Sequence, residues 1–450
     1  LITNLFNKFF SGHERSVKAK KNILGSFALK GMSMLISLLL VPLTIDYLNP
    51  TKYGIWITLM SVIAWFNFFD VGLGNGLRNK FATAKAEGKD ELARTYISTT
   101  YAIITIISIS LFIIFFLINH FLNWGKILNT TNDLVELEKL VFIVFSVFCM
   151  QFIVKLINVI FIADQRPVMS NLINTTASLV SLITVVILMK TTKGSLFYLG
   201  ASFSLINLII PLLAGIWFFN TSYKKYKPTF SSVDFSHLKE LVSLGMRFFI
   251  MQGAALVVFM TDNMIITQTT GPQDVTPYNI AYKYFGIVTM VFTIVTTPLW
   301  SAYTEAYVKK DFSWIRQATK KVYKLWGLVF VGLVVMLLVS NYAYSFWVGD
   351  KVSVPFLLSA IMALWVLLST STMVFSNFLS GISKIKLSLW HSVFVSIINI
   401  PLSIFFAKNL AMGSAGVILA SVICVFPRAI FQPIQYWKII NGKAKGIWNQ

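Results

Sequence analysis

Long apolar runs alternate with short polar connectors along the whole chain. About 20 consecutive apolar residues suffice for a helix to cross the hydrocarbon of a bilayer, and the pattern predicts about twelve crossings. Six fall near 23–47, 53–77, 93–118, 138–162, 170–189 and 196–219, and six near 242–267, 277–303, 322–340, 354–379, 387–407 and 412–437. The expected fold is therefore an all-α integral membrane protein with two six-helix bundles, 23–219 and 242–437, around a central lumen. An amphipathic lead-in (1–22), a linker (220–241) and a tail (438–450) complete the chain.

Composition agrees with the pattern. The chain of 450 residues is 56% hydrophobic and only 12% charged, with a mean hydropathy of +0.73, which excludes an ordinary soluble domain. The basic residues fix the orientation. With residue 1 inside, roughly 27 Lys and Arg fall in inside segments and about 7 in outside loops, a positive-inside bias that every loop obeys. Both ends, and the 220–241 linker, are thus expected in the cytoplasm. Most of the net charge of +21 reflects topology and contact with anionic lipid, with no need for nucleic acid. Residues 1–22 read as a basic amphipathic helix on the membrane surface, not a cleavable signal. Cys149 and Cys424 lie in apolar runs, so no disulfide framework is implied, and the four histidines have no metal-ligand spacing. No metal or cofactor is expected.

A weak repeat relates the two halves. Leu24-Gly25 opens the first crossing and Leu244-Gly245 the seventh, while Gly88-Lys89-Asp90 with Arg94 matches Lys310-Asp311 with Arg316. Six crossings per half is even, so both halves enter the membrane in the same direction, as a parallel repeat does.

The stretch Asn67–Lys80 passes from aromatic bulk through Asp70 and the alternating glycines 72, 74 and 76 to Arg78 and Lys80. It can be a frayed helix end, or a cytoplasmic gate in which small residues allow close helix approach and Asp70 holds a basic partner. Asp70, Gly74, Arg78 and Asp262 are therefore gate or coupling candidates.

Further chemistry lies in polar residues within the crossings. Asn22, Ser26, Lys30, Ser33, Ser37 and Thr44 share one face of helix 1, and Ser421, Cys424, Arg428, Gln432 and Gln435 recur along helix 12. Helix 4 offers Gln151, Lys155 and Asn158, helix 5 Asn171, Asn174, Ser178 and Ser181, and helix 8 Asn279 and Lys283. Such stripes imply a hydrated lumen, because lipid does not solvate them. Lys283 and Arg247 lie near helix ends, where a long side chain can snorkel to the interface. Lys30, Lys155 and Arg428 lie deeper. Acids barely match these cations, so the interior is net cationic and suits an anionic phosphate or pyrophosphate.

Lys21-Asn22-Ile23-Leu24-Gly25, Asp46-Tyr47-Leu48 before Tyr53-Gly54-Ile55-Trp56, and Phe69-Asp70-Val71-Gly72-Leu73-Gly74-Asn75-Gly76-Leu77 resemble the O-antigen and polysaccharide flippases. These belong to the multidrug/oligosaccharidyl-lipid/polysaccharide exporter superfamily. The resemblance implies alternating-access transfer of undecaprenyl-pyrophosphate-linked oligosaccharide from the inner to the outer leaflet of the bacterial cytoplasmic membrane. It also implies membrane lipids, and a polymerase or assembly proteins, as partners. The lipid II flippases have two further helices and arginines in their first helices, neither of which occurs here. Multidrug exporters usually keep an acid within helix 1 or 7, and Asp262 leaves that alternative open. A polysaccharide polymerase would want clustered carboxylates in a large external loop; the loop 119–137 offers only Asp133 and Glu136. No Walker sequence or nucleotide fingerprint is present, so the expectation is a transporter and not an enzyme.

Overall fold

The computed structural model describes residues 14–66, 73–131, 134–164, 166–242, 261–296, 299–382 and 384–449. Their regular structure is helical throughout. Nine helical stretches among the described residues are long and apolar enough to cross a membrane. Their outer faces carry large exposed apolar side chains such as Leu35, Leu117, Trp217, Leu328 and Leu338. Water would penalise such a surface, and lipid tails do not. This is a multi-pass membrane protein.

The chain divides into two compact units. The first comprises Leu1–Leu48, Ile63–Ile127 and Thr131–Ile250, the second Asn49–Val62, Leu128–Thr130 and Met251–Gln450.

In the first unit, α1 (Glu14–Leu48) is one helix of 35 residues, so residues 14–22 of the lead-in run unbroken into the first crossing. Asn49, where the chain passes to the second unit until Val62, takes a left-handed φ of 82°, and its Oδ1 accepts from the Lys52 N–H at 3.0 Å, starting α2 (Pro50–Phe66). Asparagine tolerates that conformation because its side chain bonds locally. α3 (Leu73–Ala86) precedes α4 (Asp90–Asn119), whose first-turn Asp90 and Glu91 suit the positive end of the helix dipole. The fourth crossing is broken: α5 (Leu134–Val154) stops at Lys155 and α6 (Leu156–Ala163) resumes. α7 (Pro167–Thr191) uses Pro167 in its first turn, where no N–H partner is needed. α8 (Leu196–Asn220) is capped by Ser195, which accepts from the Tyr198 N–H at 3.2 Å and donates to Glu136 at 2.5 Å.

Helix α1 packs on α7, and α5 packs on both α4 and α8. Phe115 and Phe145 stack at 4.0 Å between α4 and α5, and Ser108 donates to the Cys149 carbonyl. Gly76 brings α3 so close to the Leu241 carbonyl that a Cβ there would collide with it.

The second unit continues with α9 (Asp262–Thr269), α10 (Val275–Thr296), α11 (Leu299–Val308), α12 (Phe312–Leu338) and α13 (Ser340–Val348). It ends with α14 (Phe356–Gly381), α15 (Lys386–Ile404) and α16 (Gly413–Ile440). α14 is the hub, packing on α10, α11, α12 and α16. At its C-terminal end, Phe378 meets Tyr303 edge-on at 5.6 Å and Tyr436 at 5.1 Å. α15 ends in a π-helical turn, Phe405–Asn409, against which α16 packs. A Cβ at Gly416 would lie 2.6 Å from the Phe406 carbonyl carbon, so only glycine fits. α16 carries two internal prolines, Pro427 and Pro433.

Candidate functional site

Asp70 and Arg247 lie outside the described residues, as does the Ser26 side chain. Gly74 is buried in the first turn of α3 and Arg78 is exposed on that helix. Neither position explains itself, but α3 leads directly to a cluster of ion pairs at the end of the first unit.

Asp164, at the end of α6, gathers three partners. Lys85 of α3 donates to Oδ1, while Arg166 Nε (3.2 Å) and the Tyr223 hydroxyl (2.8 Å) reach Oδ2. Asp90 accepts from the Tyr226 hydroxyl at 2.6 Å and from Lys225 at 3.2 Å, so both hold its carboxyl below the usual range. Glu240 accepts from Lys80 at 2.6 Å, which lowers the carboxyl and raises the ammonium. Thr229 N–H donates to Ser98 Oγ and Asp234 N–H to Thr99 Oγ1, at 3.2 and 3.0 Å. The segment 223–240 is therefore bonded along α3 and α4. Of its partners, Arg166 is two residues away in the chain, while Lys85 and Tyr223 come from α3 and from this segment and are far from it in sequence.

Deeper in the same unit, Lys30 is exposed on α1 and Ser33 is half-buried one turn on. Thr175 Oγ1 of α7 donates to the Leu29 carbonyl at 3.2 Å, which brings Lys30 and exposed Asn174 to the same level. Lys155 is exposed at the α5–α6 break. Gln151 is buried, and its amide donates to the Ser204 carbonyl at 2.7 Å, tying α5 to α8.

In the second unit, Lys283 is half-buried on α10. Arg428 lies midway along α16, one residue after Pro427. Its Nε donates to the Gln432 amide oxygen at 3.0 Å, while the Gln432 nitrogen donates to the Thr372 carbonyl of α14 at 3.0 Å. Ser388 Oγ also reaches that amide oxygen, at 3.2 Å. This orientation of the amide satisfies every partner. Gln432, fully buried, thus fixes the guanidinium from behind and leaves its terminal nitrogens for something else. The His391 ring of α15 lies within electrostatic range of Arg428, and edge-on to Phe431 at 5.3 Å. Among the described residues, no ion pair involves Lys30, Lys155, Lys283 or Arg428. Cations held in apolar spans without carboxylates are expensive and well suited to an anion.

Asp262 opens α9 and is 5% exposed. One of its oxygens accepts from the Tyr278 hydroxyl at 2.6 Å. Around it run further polar links: Asn279 to Asn263 (2.8 Å), Asn263 to Ser61 (2.8 Å) and Thr58 to Thr267 (2.7 Å). Sequence reading flagged Asp262 and missed Asn399 and Ser403 of α15, both fully buried. Their i, i+4 spacing in an apolar run was the available signal.

The polysaccharide biosynthesis protein family matches residues 19–304, and the MatE family matches 248–405. A Yersinia pseudotuberculosis protein named for O-antigen export is 24% identical over 90% of this chain and 91% of its own length. A Salmonella typhi protein named as an O-antigen transporter is 22% identical over 79% of this chain and 81% of its own. Among solved structures, an inward-facing multidrug resistance MATE family transporter aligns with a TM-score of 0.78 at 14% identity, covering 94% of this chain and 98% of that one. The lipid II flippase MurJ, inward closed, gives 0.72 at 15% identity, covering 92% and 87%. At these identities the structural likeness establishes the fold.

Proposed function

The chain belongs to the polysaccharide biosynthesis protein family, and on that premise we propose that it flips a lipid-linked oligosaccharide, carried on undecaprenyl pyrophosphate, from the inner to the outer leaflet of the bacterial cytoplasmic membrane. The O-antigen named in its relatives supports the substrate class. In this reading both termini are cytoplasmic and the two bundles alternate in access. In the first unit Lys30 and Lys155, and in the second Lys283 and Arg428, are cations suited to an anionic pyrophosphate, while Ser33 and Asn174 offer hydrogen bonds to sugar hydroxyls. The protein does no bond-breaking chemistry itself.

The observation that carries the proposal is Arg428, a guanidinium braced by Gln432 inside an apolar helix with no carboxylate partner among the described residues. A pyrophosphate with about two negative charges leaving a negative-inside cell gains at most roughly 4.6 kcal/mol per 100 mV. A fixed cation lowers the cost of taking that charge through a low dielectric.

The test is complementation of surface polysaccharide in a flippase-null strain, with membrane abundance measured alongside. Arg428→Lys retains much of the export, since a point charge survives the loss of the fork. Arg428→Ala loses more, and Arg428→Glu abolishes export by turning attraction into repulsion. Lys30 follows the same order. Full complementation by both glutamate variants sinks the reading. A second reading, ion-coupled export of a small organic cation, is favoured by the MatE match over 248–405 and by buried Asp262. It predicts that Arg428→Glu leaves drug efflux intact.

A further inference from the structure

The polar segment after α8 holds aromatic rings out in the open. Phe230 is 99% exposed, and Phe235 and Leu238 are 51% and 36% exposed. Water penalises such a patch, and the segment cannot hide it by folding back, because it is pinned. Thr229 N–H donates to Ser98 Oγ at 3.2 Å, and the Thr229 and Ser232 hydroxyls bond at 2.9 Å across the 3-10 turn Phe230–Ser232. Asp234 donates its N–H to Thr99 Oγ1 (3.0 Å) and accepts from the same hydroxyl at its carbonyl (3.2 Å). Each phenylalanine thus directly follows a residue tied to α4 at Ser98 or Thr99.

The length of α4 sets the depth of that tie. No charged residue occurs between Thr95 and Asn119. Counting back from Asn119, about 20 residues, or about 30 Å of helix, reach Thr100. Ser98 and Thr99 therefore stand where hydrocarbon gives way to headgroups. The segment rises to this level in steps along α4. Tyr226 donates to Asp90 in the first turn (2.6 Å), Arg94 Nε to the Lys227 carbonyl (3.0 Å), and Thr229 to Ser98. Arg94 lies about 9 Å outside Thr100, from where a long basic side chain reaches a headgroup layer about 5–8 Å thick. α8 gives a second measure. Lys227 Nζ donates to Asn220 Oδ1 at the end of that helix (2.9 Å), about one turn beyond exposed Trp217. Tryptophan is enriched at membrane interfaces. Among the described residues, no carboxylate pairs with Arg94, Lys224 or Lys227.

We propose that the segment 224–240 is seated in the bilayer surface, with Phe230 and Phe235 among the acyl chains and Arg94, Lys224 and Lys227 on the phosphate of an anionic phospholipid.

Depth and charge together select this occupant. The exposed rings stand at the edge of the hydrocarbon, a level that a water-soluble partner does not reach. The basic groups lie just outside them, at the level of the headgroups, where anionic lipid attracts Lys and Arg. Because the segment is also bonded to α3 through Lys80 and Glu240, the charge of the leaflet acts on α3 and α4 through it. The site needs no particular cargo and no particular orientation, so it stands or falls separately from the pyrophosphate reading.

The experiment places the full chain in lipid nanodiscs of phosphatidylcholine and phosphatidylglycerol, with an environment-sensitive fluorophore on Phe230→Cys. Cys149 and Cys424 are buried, and the wild type taken through the same labelling supplies the background. Lipids spin-labelled high on the acyl chain quench the fluorophore, and aqueous iodide barely does. On Lys89→Cys, just before α4 and about 15 Å farther out, the pattern reverses. At low salt, spin-labelled phosphatidylglycerol quenches at position 230 about twofold or more better than spin-labelled phosphatidylcholine at equal fraction. Lys224→Gln with Lys227→Gln brings that ratio towards one and leaves quenching by lipid in place. Iodide quenching at 230 as strong as at 89 overturns the proposal by putting the ring in water. Protection from both quenchers also overturns it, assigning the ring to a protein contact. Equal quenching by the two lipids overturns the anionic site, as does a ratio unchanged in the double glutamine variant.

Discussion

Asp164 in the first unit keeps 9% of its side chain exposed, and Asp262 in the second is 5% exposed as a residue. Their surroundings differ in kind. Asp164 is met by an ammonium, a guanidinium and a phenol. Asp262 accepts from one phenol through one oxygen, and its other oxygen has no hydrogen-bond partner among the described residues. Desolvation is costly for either carboxylate. In the first unit the chain repays it with its own donors, which makes Asp164 a clasp. In the second, among the described residues, a single phenol is the donor it has.

This contrast can be broken by experiment. The largest effect is expected from Asp164→Ala, which strands Lys85 and Tyr223 and should lower unfolding stability by about 2 kcal/mol. Denaturant melts of the purified variant measure it. Asp262→Asn should have the opposite sign, raising stability by about 1 kcal/mol because an undercompensated buried charge is removed. If both substitutions destabilise alike, the two acids are both clasps and the distinction fails. The smallest effect belongs to the pairs of Asp90 and Glu240 at the surface. Their carboxyls sit below the ordinary range in the folded chain. Their contribution is thus complete above the unfolded value of about 4 and is lost as pH falls through the still lower folded values. Amide exchange across 223–240 should remain slow at pH 6 and quicken, after correction for intrinsic rate, below about pH 4.

The spans were legible because hydrocarbon imposes a simple rule on sequence: enough apolar residues in a row. Expected crossings at 170–189 and 196–219 became Pro167–Thr191 and Leu196–Asn220. The break at Lys155 was not legible, since no proline or glycine marks it and the run reads as uninterrupted. Nor were Lys85 and Tyr223 as partners of Asp164, which are close only once α3, α6 and the segment after α8 are folded together. The 220–241 segment reads as a solvated basic loop, yet short 3-10 turns and side-chain bonds hold it to α4. Arg428 announced itself by being charged in an apolar helix. Gln432 did not announce its role, because an amide four residues away can face many things.

Pro427 and Pro433 in α16 have a mechanical consequence. Neither has an N–H, so the carbonyls one turn back, at Ile423 and Ala429, lose their rungs in the ladder. The helix is therefore jointed at two places, with Arg428 and Gln432 on the short link between them. Bending at either joint tilts that link as a piece and swings the guanidinium through an arc, while the backbone bonds above and below stay intact. The charge is mounted on a lever, and the cheapest motion available to α16 is the one that moves it.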